Sequence, residues 1–147
     1  MQIQTTRFGP VRIEADDILL FSEGLAGFEH YRHWVLLADA DNEAVAWLQC
    51  VSDPQTALPL ISPRRFAPGY QVRVSRDQLT PLELAAMDQA FVLAVLSRHQ
   101  EQLTMNLKAP LIINLDRRIG RQVIVCDEQP LRAELLAPLE TQWRKSA

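Results

Sequence analysis

The strongest constraint on the fold is that apolar residues come in short runs, which turn-forming residues interrupt about every 8–12 residues. None of these runs approaches the ~20 apolar residues of a membrane-spanning helix. They read ILLF at 18–21, WVLLA at 34–38, AVAWLQCV at 44–51, LPLIS at 58–62 and FVLAVLS at 91–97. Runs of this length and spacing predict a mostly β protein, a small barrel-like or sandwich domain of short antiparallel strands.

Alternating patterns add further strands to this prediction. Residues 3–7 and 11–15 flank Phe8-Gly9-Pro10 and favour a β-hairpin. YQVRV at 70–74 alternates apolar and polar residues, which indicates a strand, whereas the proline-rich stretch 62–70 favours neither a strand nor a helix. Residues 111–115 and 121–126 are predicted to form two more strands, joined by a turn through Asp116 to Gly120.

Two helices are predicted. Thr80-Pro81-Leu82-Glu83 has the form of a capping box with proline at the first helical position, so a short helix is expected to begin there. Near the end of the chain, leucines or tryptophan recur every four residues, at Leu131, Leu135, Leu139 and Trp143, with Pro138 inside the stripe. We therefore expect a β domain over residues 1–127 and a helical tail over 128–147.

Composition narrows the class of protein. The chain has 147 residues, enough for one domain, with 15 basic and 18 acidic side chains and a net charge of −3. Proteins that grip nucleic acids usually carry a basic surplus, so no direct nucleic-acid partner is expected. Cys50 and Cys126 both lie in apolar runs and are interpreted as buried, unpaired residues. The polar opening MQIQTTRFG shows no secretory signal, and we expect a cytoplasmic protein with no membrane partner.

The stretch FSEGLAGFE at 21–29 raises three alternatives: a phosphate loop, a metal site or a turn between strands. It lacks the lysine of a Walker loop and the third glycine of a dinucleotide fingerprint, and its two glutamates would repel phosphate. We therefore favour a turn in which Gly24 and Gly27 take backbone angles closed to other residues. Phe21, Leu25 and Phe28 are then expected to tuck beneath it.

Other candidate sites are weak. His30 and His33 lie beside Glu29, but no second pair of metal ligands accompanies them, and residues 39–43 lack the closing positions of a calcium loop. No Gly-x-Ser-x-Gly motif or activated cysteine is present, so neither an enzyme, a metal nor a cofactor is expected. Three arginines, Arg117, Arg118 and Arg121, crowd one turn; they are either a solubilising feature or a contact for an acidic partner.

Three co-linear segments stand out: FSEGLAGFE at 21–29, LQCVSDP at 48–54, and TMNLKAPLIIN at 104–114, which continues to GRQVIV at 120–125. Together they resemble the FliW family of bacterial flagellar assembly factors. The first is similar to that family's F-P-x-G-[LI]-P-G-F-E, and the second is similar to its L-Q-S-x-x-D-P. TMNLKAPLIIN at 104–114 resembles T-x-N-L-x-A-P-I-x-I-N, and GRQVIV at 120–125 resembles G-x-Q-x-[VI]. The order and the spacing of these segments agree as well, over about residues 1–127.

This resemblance implies a barrel-like β fold and a function in regulation by binding. A protein of the family binds new flagellin in the cytoplasm; once flagellin is secreted, the freed protein captures CsrA, a dimeric RNA-binding repressor of flagellin translation. Asn106 and Asn114 are expected to bond backbone groups where strands bend. The motif positions that become candidates for partner binding are Phe21, Glu23, Gly24, Leu25, Gly27, Phe28, Glu29, Asp53, Pro54, Asn106, Pro110, Asn114, Gly120 and Gln122.

The sequence also departs from the family's pattern. Ser22 and Ala26 stand where the family usually has proline, so each lacks a preset backbone angle. Pro59 replaces an aromatic residue, and because proline cannot donate to a ladder its strand is expected at a sheet edge. Two other functions stay open: a flagellin chaperone or adaptor without CsrA regulation, and an RNA-binding barrel, which the low basic charge disfavours.

Overall fold

The computed structural model describes residues 1–86 and 89–135. Within them the chain is built mainly of β-strands, as predicted. The strands are β1 (Gln2–Thr5), β2 (Gly9–Arg12), β3 (Leu19–Leu20), β4 (His33–Ala38), β5 (Val45–Cys50), β6 (Ala57–Ile61), β7 (Ala90–His99), β8 (Gln102–Met105), β9 (Leu111–Asn114), β10 (Ile119–Gln122) and β11 (Ala133–Glu134). Two one-turn helices, α1 (Pro63–Phe66) and α2 (Arg76–Leu79), lie between β6 and β7.

The larger sheet curls into an uneven barrel-like ring. Its strand order is β11-β8-β7-β6-β5-β4-β3-β10-β9, and β9 also pairs with β7, which returns the order on itself. Pairing is antiparallel except between β3 and β10, which meet through the single parallel pair Leu20–Ile119. The predicted hairpin forms as a separate two-stranded sheet, in which Ile3 pairs with Val11. The fold class expected from the sequence is confirmed.

β5 is the central strand because both of its faces are buried. Trp47 and Leu48 are adjacent and therefore point to opposite faces; they are 4% and 0% exposed. Leu48 belongs to an inner cluster with Phe21 and Trp34, and Trp47 belongs to a second cluster with Tyr70. This double burial explains why the run 44–51 shows no polar alternation.

The prediction of an edge position for Pro59 is wrong, since β6 pairs with both β5 and β7. The proline is tolerated because the pairing of β6 with β7 is restricted to Leu60 and Ile61. Pro59 itself lies opposite Trp47 of β5 and precedes the two residues that meet β7. Pro59, which has no N–H group, therefore lies at a position of β6 that is not paired with β7.

The connection after β6 differs from its prediction at two points. The proline-rich stretch does contain a helical turn, α1, because Pro63 occupies a first-turn position where an N–H is not needed. Residues 70–74 alternate in burial as predicted, but they join no ladder. Their link to the rest of the fold includes a backbone bond from the Cys126 N–H to the Arg73 carbonyl, 2.6 Å.

The helix predicted to begin at Thr80 does not form. α2 ends at Leu79, a single 3₁₀ turn follows over Thr80–Leu82, and Glu83 takes a left-handed φ of 53°. The Asn114 side chain donates to the Leu82 and Glu83 carbonyls, at 2.9 and 3.3 Å, so these groups are used in a tertiary contact and not in a helix. Leu82 is buried, and this anchoring outweighs the local capping signal.

The predicted C-terminal helix is also wrong over the part of the tail that the structure describes. Ala133 and Glu134 form β11, which pairs with Met105 and Thr104 of β8. Leu131, the first residue of the supposed helical stripe, is 63% exposed. An available strand edge at β8 therefore decides the conformation of this segment against its helical spacing. Pro138, Leu139 and Trp143 lie outside the described residues.

The two cysteines have different environments. Cys50 is buried, as predicted, whereas Cys126 is exposed and the prediction of its burial is wrong. Burial alternates along 123–126, with Val123 and Val125 inside, so Cys126 faces outward. Its thiol donates to the Arg73 carbonyl at 3.0 Å.

Candidate functional site

The glycine-rich stretch is a folded turn between β3 and β4. Gly24 and Gly27 have φ angles of 68° and 86°, which confirms that both positions use backbone conformations that favour glycine. Leu25 and Phe28 form an isolated antiparallel bridge, so the stretch closes on itself. Phe21 is fully buried beneath it, as the sequence predicts. This geometry supports the structural interpretation of the glycines.

Tyr31 connects the glycine-rich stretch to the second motif segment. Its hydroxyl donates to Asp53 Oδ2 at 2.9 Å. The same carboxylate accepts the Thr56 hydroxyl at 2.7 Å and the Gln55 backbone N–H at 3.1 Å. Asp53 therefore organises its own loop and holds the neighbouring one.

These donors explain the acidity of Asp53. The bond from Thr56, followed by the bonds from Gln55 and Tyr31, holds the pKa of Asp53 below its ordinary value of 3.8. Donation to the same carboxylate raises the pKa of Tyr31. The bond between Tyr31 and Asp53 contributes to both shifts, since protonation of Asp53 or deprotonation of Tyr31 would weaken that bond.

We expect Asp53 to make the stability of the protein depend on pH in the acidic range. Because the folded-state pKa of Asp53 is depressed, its stabilisation is present above about pH 4 and is lost as pH falls through the folded value. In Asp53→Asn, the melting temperature should fall less than that of the wild type as pH is lowered from 6. In Tyr31→Phe, which removes one of the donors to Asp53, this fall in melting temperature should be reduced only in part. If the melting temperature of Asp53→Asn fell with pH as steeply as that of the wild type, Asp53 would not be the group responsible.

Gln49, in β5, holds the Asp53 loop through its side chain, a structural role that the sequence reasoning missed. Its side chain is fully buried, and Nε2 lies 3.1–3.3 Å from the carbonyls of Cys50, Asp53, Pro54 and Thr56. The Pro54 carbonyl also accepts the Thr6 N–H at 2.9 Å, which attaches the β1–β2 hairpin. A polar residue inside an apolar run was the signal that could have found it.

Gln122 connects the glycine-rich stretch to the third motif segment. Its Oε1 accepts the Ala26 N–H at 2.9 Å, and its Nε2 donates to the Ala109 carbonyl at 3.1 Å. Proline at position 26 could not make the first bond, so the departure from the family pattern at Ala26 adds a tertiary contact. Gly120 also packs closely against the glycine-rich stretch, since a Cβ on Gly120 would collide with the Phe21 ring.

The remaining motif residues hold backbone groups away from this junction. Asn106 Oδ1 accepts the N–H groups of Lys108 and Ala109, both at 3.0 Å, as expected for a strand bend. Asn114 bonds the carbonyls after α2, as described above, and accepts the Arg117 N–H at 3.3 Å. The Pro110 carbonyl accepts the Val123 N–H at 3.0 Å. The three motif segments thus meet at the glycine-rich turn, but not every motif residue lies there.

Comparison with known proteins bears on these motifs. The family model "FliW protein" matches residues 2–135. The chain belongs to the FliW family. A flagellar assembly factor FliW from Bdellovibrio bacteriovorus is 39% identical over 129 residues, covering 86% of this chain and 74% of that protein. The FliW of Thermoanaerobacter pseudethanolicus is 31% identical, covering 97% and 98%. A crystal structure of a flagellar assembly factor FliW has a TM-score of 0.85 at 28% identity, covering 93% and 98% of the two chains.

We call the exposed part of this FliW-family turn the glycine-loop surface; its residues are Ser22, Glu23, Ala26, Gly27, Glu29 and His30. The turn beneath is held by the bonds of Tyr31 and Gln122. His30 and His33 are exposed, and within residues 1–86 and 89–135 no group of three or more His, Cys, Asp or Glu side chains is placed to hold a metal.

Arg117 and Arg118 lie in the turn between β9 and β10 and Arg121 lies in β10, so the three arginines share one hairpin. Arg117 is 3.8 Å from Glu83 in an exposed ion pair, and Arg121 donates to the Gln78 carbonyl at 3.0 Å. Two of the three thus have partners within the fold, which favours the structural interpretation.

In the described ranges, no helix is long and apolar enough to cross a membrane.

Proposed function

We propose that this FliW-family protein is a flagellar assembly factor that binds flagellin and, when free of it, sequesters the translational repressor CsrA. The observation that carries the proposal is the convergence of three family motif segments around one surface turn. Motifs spread over some 100 residues of sequence are joined there by Tyr31, Asp53 and Gln122. A turn held by these bonds has little backbone entropy left to lose on binding.

The charge of this surface suggests how a partner is recognised. Glu23 and Glu29 are both exposed, and in the sequence they lie before and after the buried Leu25. A partner that meets this surface should offer basic side chains, because opposite charge increases the association rate and selects orientation. In the switch, flagellin and CsrA compete for one pool of the protein, so that the amount of flagellin sets the amount of free repressor.

Competition calorimetry tests the proposal directly. The protein is titrated with flagellin and with CsrA from the same genome, and then flagellin is added to the preformed CsrA complex. Binding to both partners with displacement of CsrA is the expected result. Binding to flagellin alone would leave a chaperone or adaptor without the regulatory arm. Binding to neither would overturn the proposal.

A charge reversal tests the surface. Glu23→Lys combined with Glu29→Lys should weaken the binding of flagellin or of CsrA by about tenfold or more, and this loss of affinity should shrink as the salt concentration is raised. The melting temperature should stay nearly unchanged because both side chains are exposed. The matched control is Asp41→Lys with Glu43→Lys, the same charge change in the turn at the other end of β4, about 20 Å away. Equal binding by both double variants would exclude the glycine-loop surface.

The control has one structural consequence of its own. Glu43 is 3.5 Å from Arg65 in an ion pair whose side chains are 89% and 52% exposed. Such a surface pair contributes about 0–1 kcal/mol, so its loss should leave the control folded. A comparison of melting curves shows whether that condition holds before binding is measured.

A further inference from the structure

β7 has a stretch of backbone that no neighbouring strand covers. On one side the strand is paired along its length, with β9 from Ala90 to Leu93 and with β8 from Leu96 to His99. On its other side it meets β6, but only through Val95 and Ala94. In the described ranges, no strand pairs with Ala90–Leu93 on that second side.

The direction of the backbone groups follows from the alternation of a β-strand. The Asn106 N–H donates to the Val95 carbonyl at 3.0 Å, so the backbone groups of Val95 point to the β8 side. Successive residues point to opposite sides. The N–H and C=O of Ala94 therefore face Ile61 of β6, and those of Val92 face the same way, where β6 has already ended. Within residues 1–86 and 89–135, the N–H and C=O of Val92 thus have no backbone partner on this side.

These groups open onto a groove of about 550 Å³, within the ~300–1,000 Å³ range of ligand-binding clefts. One wall is formed by Ala90, Phe91 and Val92. The opposite wall is formed by the start of the α1 connection and the extended segment after it, namely Ser62, Pro63, Arg64, Tyr70, Gln71 and Val72. Phe91 is 40% exposed, which leaves apolar surface at the mouth of the groove.

β6 does not extend into this groove. β6 ends at Ile61, and Ser62-Pro63 turns into α1, so the strand does not continue along β7. The far wall is fixed, because Arg64 Nε donates to the Tyr70 carbonyl at 3.0 Å and the Tyr70 hydroxyl donates to the Leu107 carbonyl at 2.7 Å. The gap between β7 and residues 70–72 is consequently a built feature with two anchored sides.

The charge of the lining favours one kind of occupant. Arg64 is the only charged residue of the lining, and the structure records no ion pair for it within the described ranges. The other lining side chains are apolar or neutral. An acidic side chain next to apolar ones would match this groove, whereas a basic segment would meet like charge.

We propose that this groove takes an extended segment of a partner protein, added as a strand to the free edge of β7 at Val92, with an acidic side chain directed to Arg64. Main-chain bonds to Val92 supply affinity, and the apolar lining and Arg64 supply selectivity, as in other cases of strand addition. The site is distinct from the glycine-loop surface and does not depend on which protein supplies the segment.

The test uses the full chain labelled with ¹⁵N and the capped pentapeptide acetyl-Val-Asp-Val-Asp-Val-amide. In titrations followed by NMR, the amide signals of Ala90 and Val92 should shift, and exchange of the Val92 amide with solvent should slow. Two further peptides, N-methylated at the second or the third residue, separate main-chain from side-chain binding. One of the two should bind about fivefold more weakly or worse, the loss expected for a missing bond to Val92.

Protein variants test the charge. Arg64→Gln should weaken the aspartate peptide, while Arg65→Gln, its neighbour in α1, should leave binding unchanged. Equal affinity for both N-methylated peptides, shifts located outside the groove, or no shift at millimolar peptide would overturn the proposal. So would protection of the Val92 amide that rises with protein concentration alone, which would assign the groove to a second copy of the chain.

Discussion

Trp47→Ala should lower the free energy of unfolding by about 3–5 kcal/mol, the cost of truncating a large aromatic side chain in a core. Trp47 is 4% exposed, on the face of β5 opposite to Leu48. Phe8 packs edge-on against its ring at a centroid distance of 6.3 Å, and the Arg7 guanidinium lies 3.8 Å from the ring centroid. The substitution therefore leaves a cavity and also removes the contacts that Arg7 and Phe8, in the turn of the β1–β2 hairpin, make with this ring.

Chemical denaturation measures this loss, and Trp47→Phe is the informative control. Phenylalanine retains an aromatic ring next to Phe8 but loses the bond from the indole Nε1 to Asp39 Oδ1, 2.9 Å. We expect a smaller loss than for alanine, because most of the buried apolar area remains. A loss below about 1 kcal/mol for Trp47→Ala would be incompatible with a buried position on β5.

The strands were predictable wherever burial and backbone pairing agree. The runs at 34–38 and 44–51 became β4 and β5 with nearly the expected bounds, because a continuous apolar run of this length is suited to a strand that is covered on both faces. The hairpin around Gly9 followed in the same way from local turn chemistry. These signals lie within a few neighbouring residues, so a single sequence contains them.

The errors share a different cause, namely contacts between distant parts of the chain. Thr80-Pro81 has a good helix start, yet the Asn114 amide takes the carbonyls that a helix would need. The spacing of Leu131 and Leu135 is helical, yet the edge of β8 recruits this segment into a ladder. In both cases a tertiary bond outweighs a local preference of a few tenths of a kcal/mol per residue.

The candidate site was predicted as a set of motifs and not as a structure. The resemblance identified Gly24, Asp53 and Gln122, but the bonds that join them pass through Tyr31, which is absent from the quoted motifs, and through Ala26, where this chain departs from the family pattern. A motif indicates which positions matter together. It does not state which atoms meet, because that depends on how the ring of strands closes.

Within the glycine-rich turn, Gly24 packs closely against the backbone of Glu29, and substitution of Gly24 should therefore have a large effect on stability. Gly24→Ala should lower the free energy of unfolding by about 2–5 kcal/mol, the sum of a left-handed conformation for alanine and a forced fit. Gly24 has φ 68°, and a Cβ there would lie 2.5 Å from the Glu29 Cα and carbonyl oxygen. These are backbone atoms, so no side chain can swing away, and the segment carrying Glu29 must move.

Gly27→Ala separates the two contributions. Gly27 also has a positive φ, 86°, but a Cβ at this position would meet nothing within 4 Å. Its loss should therefore be limited to the conformational term of about 1–2 kcal/mol. Denaturation curves of the two variants give the difference, and titration with a partner shows whether moving Glu29 also changes binding. Equal losses would mean that Gly24 is required for its backbone angle alone, whereas a larger loss at Gly24, accompanied by weaker binding, would connect the close approach of the chain at Glu29 to the shape of the glycine-loop surface.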